Sequence, residues 1–141
     1  MNYDFSKFLD AQEMDYSTAL SEIRAGRKTS HWIWYIFPQL AALGRSSTAK
    51  FYGIADLNEA RAYLNNETLA SRLKEITQAL LDLPDTDAQK VMGSHVDAVK
   101  LRSSMTLFAL ADPACDIFQK VLDKYFSGKR DENTAALCAK K

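Results

Sequence analysis

The chain has 141 residues, enough for one domain around a single core, and its 47% apolar and 26% charged content excludes a disordered chain. Eighteen basic residues balance eighteen acidic ones, so the chain as a whole offers no field that draws nucleic acid or an anionic membrane. The longest apolar run, residues 32–37, is too short to span a bilayer, and the charged amino terminus MNYDFSKFLDAQE lacks the apolar stretch of a signal peptide.

Helical periodicity dominates from the start. Phe5, Phe8 and Leu9 fall at i, i+3 and i+4, with Asp4 placed to cap the first free amides. Tyr16, Ala19, Leu20 and Ile23 form a second stripe after Asp15, and Gly26 supplies a left-handed stop. Gly44, Arg45, Ser46, Ser47, Thr48, Ala49 and Lys50 make a polar segment that can open a short helix. Asp56, with Glu59 three positions on, is an Asp-led variant of the capping box for a helix through Leu57, Ala60 and Leu64. A longer helix carries Leu69, Leu73, Ile76 and Leu80 on one face and ends before Pro84. Residues 85–93 leave room for one helical turn. Ser94 and Asp97 cap a helix running toward Ala111. Asp112 and Pro113 then cap and start another, with Ile117, Phe118, Val121, Leu122 and Tyr125 inward and Gly128 beyond its end. The tail from Asp131 is helix-prone but thinly apolar, which predicts weak packing or fraying over residues 131–141.

Trp32-Ile33-Trp34-Tyr35-Ile36-Phe37 is aromatic and β-branched, a strand by propensity alone. A strand needs a partner, and no other segment alternates apolar and polar residues, so a lone buried strand would orphan its amides and carbonyls. The expectation is a buried helix capped by Ser30 and ended near Pro38. The whole is read as a single all-α domain, 1–141: a compact multi-helix bundle of about seven to eight short helices, orthogonal rather than a regular four-helix bundle. Cys115 and Cys138 are far apart with no CxxC, which fits free thiols in a reducing cytoplasm.

Three polar segments are candidates for chemistry. In the first, Arg27, Lys28, Ser30 and His31 precede the apolar run and Gln39 follows Pro38. His31 in a first helical turn feels the positive end of the dipole, which favours a neutral imidazole and makes it the candidate catalytic base. A structural histidine and tryptophans that are plain core fit the same residues. The second is GRSSTAK, residues 44–50, where Arg45, Lys50 and the hydroxyls suit a phosphate or carboxylate, or simply cap a helix. The third surrounds Lys100. On a helical wheel Val96, Val99, Leu107 and Leu110 oppose Leu101, Met105 and Phe108, so that helix is covered on two faces. Asp97, Lys100 and Ser104 lie on one ledge between them, Arg102 and Thr106 on the other, with Ser103 inside an apolar face. Charges so close to a core are either paired, with hydroxyls bonded back to the helix, or turned toward a cleft as an anion-binding wall.

No catalytic template is complete. His31 and His95 are distant, HExxH is missing, and no metal site is expected. Ser47 to Lys50 matches SxxK without its companion motifs, and no GxSxG, GxGxxG or phosphate-binding P-loop occurs, so no cofactor is expected.

Taken together, AGRKTSHWIWYIFPQLAALGRSSTAKFYGIADLNEARAYL and GSHVDAVKLRSSMTLFALA make the chain resemble, from Phe8 to the tail, the bacterial family called domain of unknown function 1810. The resemblance implies a compact all-helical domain and brings no reaction, substrate or catalytic residue set. Some relatives carry a calpastatin label; calpastatins are disordered repeats, whereas this chain is apolar, capped and without repeats, so the label does not carry over. The stretches that carry the resemblance are the three polar segments. If they converge, Arg27, Ser30, His31, Gln39, Arg45, Ser46, Lys100, Arg102, Ser103 and Ser104 line one pocket floored by Trp32 and Trp34, suited to a small anionic, nucleotide-like or phosphorylated metabolite. The rival reading is a protein-interaction or homodimerisation module in which Trp32, Trp34, Tyr35 and Phe37 form an exposed hot spot.

Overall fold

The computed structural model describes residues 3–139 and is all-helical. Its α-helices are α1 (Ser6–Arg24), α2 (Ile33–Ile36), α3 (Ser47–Phe51), α4 (Leu57–Asn65), α5 (Glu67–Asp82), α6 (Ala88–Met92), α7 (His95–Ala111), α8 (Ile117–Phe126) and α9 (Glu132–Ala139), with a 3₁₀ turn at Ala41–Leu43. Helix α7 runs through the middle, touching α2, α4, α6, α8 and α9, while α5 packs against α1, α4 and α8. Its residues 103–109 are all buried, as a helix enclosed on every side requires.

The two stripes at the amino terminus fuse into one helix, α1. Asp4 serves it from one position before the cap, its Oδ1 accepting from Ser6 N at 2.9 Å. Asp15, expected to start a second helix, lies inside α1 and accepts a hydrogen bond from the Tyr35 hydroxyl. Gly26 does end the helix in the left-handed region, at φ +84°, its N–H donating to Ile23 O at 2.8 Å. The caps at Asp56 and Ser94 form as read, and Ser46 caps α3, each accepting from the amide three residues on. Glu59 closes its box one residue early, accepting from Ala55 N.

Elsewhere the local signals mislead. Asp112 and Pro113 do not start a helix; Cys115 N donates to Asp112 O in a turn, and α8 begins only at Ile117. Ser127, at φ +56°, precedes Gly128 in the left-handed region beyond α8. The aromatic run is helical for one turn only, and its N-cap is Trp32, with Ser30 not capping it. Leu40, in extended conformation, forms a single parallel bridge with Ile54: Ala41 N donates to Ile54 O, and Ile54 N to Gln39 O. Gly53 permits this close approach, because a Cβ there would lie 2.8 Å from Ala41 N and closer still to Ala41 Cα. The tail expected to pack weakly is α9, anchored by Asp131: its N–H donates to Thr106 Oγ1 on α7, and its Oδ2 accepts from Thr134 N and Oγ1. Thr134 is fully buried.

No helix among the described residues is long and apolar enough to cross a membrane.

Candidate functional site

The polar segment that precedes the aromatic run closes on α1 rather than on a pocket. The Glu22 carboxylate accepts from Thr29 N at 2.8 Å, Ser30 N at 2.9 Å, Ser30 Oγ at 2.5 Å and Trp32 Nε1 at 3.0 Å. Burial pushes the Glu22 carboxyl up, but these four donors together outweigh it and hold the group down at about 2. Lys28, 7% exposed, sets its ammonium 4.9 Å from the Trp32 ring centre, donates to Ser30 O and pairs with Asp97 of α7 at 2.8 Å. Ser30 and Trp32 are thereby spent on a clamp between α1, the following loop and α7. Trp32 is 1% exposed, so it floors no pocket. Arg27 and His31 are exposed and line none of the clefts described here.

The other two segments do meet. A cleft of about 800 Å³ is lined from the first side by Gln39, Arg45, Ser46 and the 3₁₀ turn, from the second by His95, Val96, Val99, Lys100 and Ser103 of α7. Asp131 and Asn133 close it at the start of α9. Five expected site residues therefore share one wall system: Gln39, Arg45, Ser46, Lys100 and Ser103. The bridge between Leu40 and Ile54 holds Gln39 and the 3₁₀ turn in place, the Ser46 cap sets the approach of α3, and Asp131 hangs on Thr106.

The electrostatics of this cleft are uneven. Neither Arg45 nor Lys100 belongs to any of the ion pairs found among the described residues. Lys100 is half-buried, with its ammonium 5.3 Å from the centre of the Trp34 ring. Asp131 is the carboxylate of the lining, and its Oδ2 is occupied by Thr134. A half-buried ammonium outside the ion pairs found, in the same lining as the exposed Arg45, favours an anion. Ser46 Oγ uses a lone pair on Ala49 N, so its O–H is free to donate outward, whereas Ser103 Oγ donates back to Val99 O.

Besides Arg27, Ser30, His31 and Trp32, three further expected residues fall outside this cleft. Arg102 donates from Nε to Lys129 O and from a terminal nitrogen to Arg130 O, both at 2.9 Å, and so fastens the loop after α8. Ser104 is fully buried, and its Oγ, like Trp34 Nε1, is enclosed without a hydrogen-bond partner among the described residues. Trp34 is half-buried behind Lys100 and does not line the cleft. The exposed aromatic surface of the rival reading is not there: Trp32, Tyr35 and Phe37 are buried.

His95, Val96 and Asn133 line the cleft without having been anticipated. For the valines the wheel misleads: Val96 and Val99 share a face with buried Leu107 but are 60% and 42% exposed, because that side of α7 opens onto the cleft. The signal for His95 lay in the cap, since a residue directly after Ser94 stands at the open end of the helix.

The geometry thus defines an all-helical protein with a cationic, hydroxyl-bearing cleft at one end of its central helix. The chain belongs to the family described as "Protein of unknown function (DUF1810)", whose sequence pattern matches residues 2–138. Among solved structures, the chain is similar to a conserved hypothetical protein from Mycobacterium tuberculosis, with 42% sequence identity, 99% of each chain covered and a TM-score of 0.94. No curated protein matches the chain.

Proposed function

We propose that the chain binds a small anionic metabolite, phosphorylated or nucleotide-like, in the cleft between the 3₁₀ turn, α3 and the first half of α7. One observation carries this reading: Arg45 and Lys100, 55 positions apart in sequence, line one cleft and neither takes part in an ion pair found among the described residues. Ser46, Gln39 and His95 supply neutral hydrogen-bonding groups beside them. A volume of about 800 Å³ suits a metabolite of nucleotide size. The ligand is met in the cytoplasm, where the two free thiols, Cys115 and Cys138, persist unpaired.

Isothermal titration of the full chain with inorganic pyrophosphate and with sugar phosphates tests the reading. Wild-type protein binds at micromolar to millimolar concentration, and Arg45→Met and Lys100→Met each weaken binding about tenfold or more while leaving the melting temperature within about 2 °C. Equal binding by wild type and both variants contradicts the reading.

A further inference from the structure

The cleft has a neighbour. A second hollow of about 460 Å³ lies on the other side of His95 and Val99, which line both. These side chains stand one turn apart on the outer face of α7, both exposed, so the partition is a single low ridge. Each hollow also contains what the other lacks. The larger has no Phe, Tyr or Trp in its lining; the smaller includes Tyr125 and Phe126 of α8.

Charge sorts the two further. In the smaller hollow the charged groups are Arg102 and Asp87, and both are engaged: Arg102 by the carbonyls of Lys129 and Arg130, Asp87 Oδ1 by the amides of Gln89 and Lys90. That hollow suits a flat, uncharged group. At the ridge, the Gln89 amide lies 3.0 Å from His95 Nδ1, which leaves Nε2 as the ring nitrogen facing a ligand.

We propose that the ligand is a nucleoside diphosphate, its phosphates held by Arg45 and Lys100 in the larger cleft, its ribose crossing the ridge beside His95, and its base against Phe126 in the smaller hollow. This rests on the anion reading of the larger cleft and adds to it the nature and position of the uncharged half. A ribose stands between phosphate and base as the ridge of His95 and Val99 stands between the two hollows. His95 hydrogen-bonds the sugar from the ridge.

Isothermal titration of the full chain with three probes tests it: pyrophosphate alone, adenosine alone, and adenosine diphosphate. The diphosphate nucleotide binds about tenfold or more tightly than pyrophosphate. Phe126→Ala removes that advantage and leaves pyrophosphate affinity unchanged, and Phe126→Leu, which keeps apolar volume but loses the flat ring, gives the same result if the alanine variant is unstable. Lys100→Met weakens both phosphate ligands. Pyrophosphate and the nucleotide binding equally, or an advantage that survives both Phe126 variants, overturns the inference while the larger cleft stands as an anion site. Failure of pyrophosphate and nucleotide alike overturns both.

Discussion

Lys28 and Asp97 form a 2.8 Å ion pair that fastens the loop after α1 to the first turn of α7, with the Lys28 side chain 5% and the Asp97 side chain 18% exposed. The pair binds the segment carrying the aromatic run to the helix that carries the cleft wall. Removing one member of so enclosed a pair strands the other. Lys28→Met is expected to lower unfolding free energy by about 3 kcal/mol. Adding Asp97→Asn to it should cost little more, which a double-mutant cycle in urea measures. Additive losses would show that the two residues do not act as a pair.

Glu22 makes a pH prediction. Its carboxyl lies at about 2 in the folded chain and near its ordinary 4.5 when unfolded. A depressed carboxylate contributes stability that is fully present above the unfolded value and lost as pH falls through the folded one. Thermal stability should therefore drop between about pH 5 and pH 2, and Glu22→Gln should flatten that drop while costing about 2 kcal/mol at neutral pH. Parallel stability-versus-pH curves for the two proteins would refute the role given to Glu22.

Gly53→Ala probes the bridge between Leu40 and Ile54. The new methyl would overlap Ala41 backbone atoms that cannot move without breaking the Ala41 N to Ile54 O hydrogen bond. A loss of about 2 kcal/mol or more is expected, with weaker ligand binding because the 3₁₀ turn forms one cleft wall. A variant with wild-type melting temperature would mean that the approach is looser than drawn.

Thr106→Val tests how α9 is held. The substitution keeps the shape of the side chain but removes the acceptor for Asp131 N. Amide exchange in residues 132–139 should quicken about tenfold while α7 stays protected. Unchanged exchange in α9 would assign its anchoring to the burial of Thr134 instead.

Much of the fold could be read from local chemistry, because the residues that start and stop helices act on their immediate neighbours. Asp56, Ser94 and Gly26 each do what their position implies. Asp112 and Pro113 mimic the same signal, but the turn closed by Cys115 delays α8, and no neighbouring residue type announces that. The site was legible only in part for a different reason. A segment such as RKTSHW has the composition of a binding loop and also that of a clamp, and the deciding partner, Glu22, lies in another helix whose own pattern is apolar on its buried side and polar elsewhere. Arg45 and Lys100 are legible in the sequence as cations in polar segments; that they line one cleft depends on how the 3₁₀ turn packs beside α7. The anchors of the tail, Thr134 and Asp131, are polar and escape a count of apolar residues.

Where the anion binds decides whether the cleft is a site. Backbone amide chemical shifts recorded during a pyrophosphate titration report it most directly. An anion held in the cleft gives its largest changes on residues 44–49 and 95–103, and Lys100→Met abolishes them. Changes centred on residues 27–31, or none at saturating concentration, would contradict it.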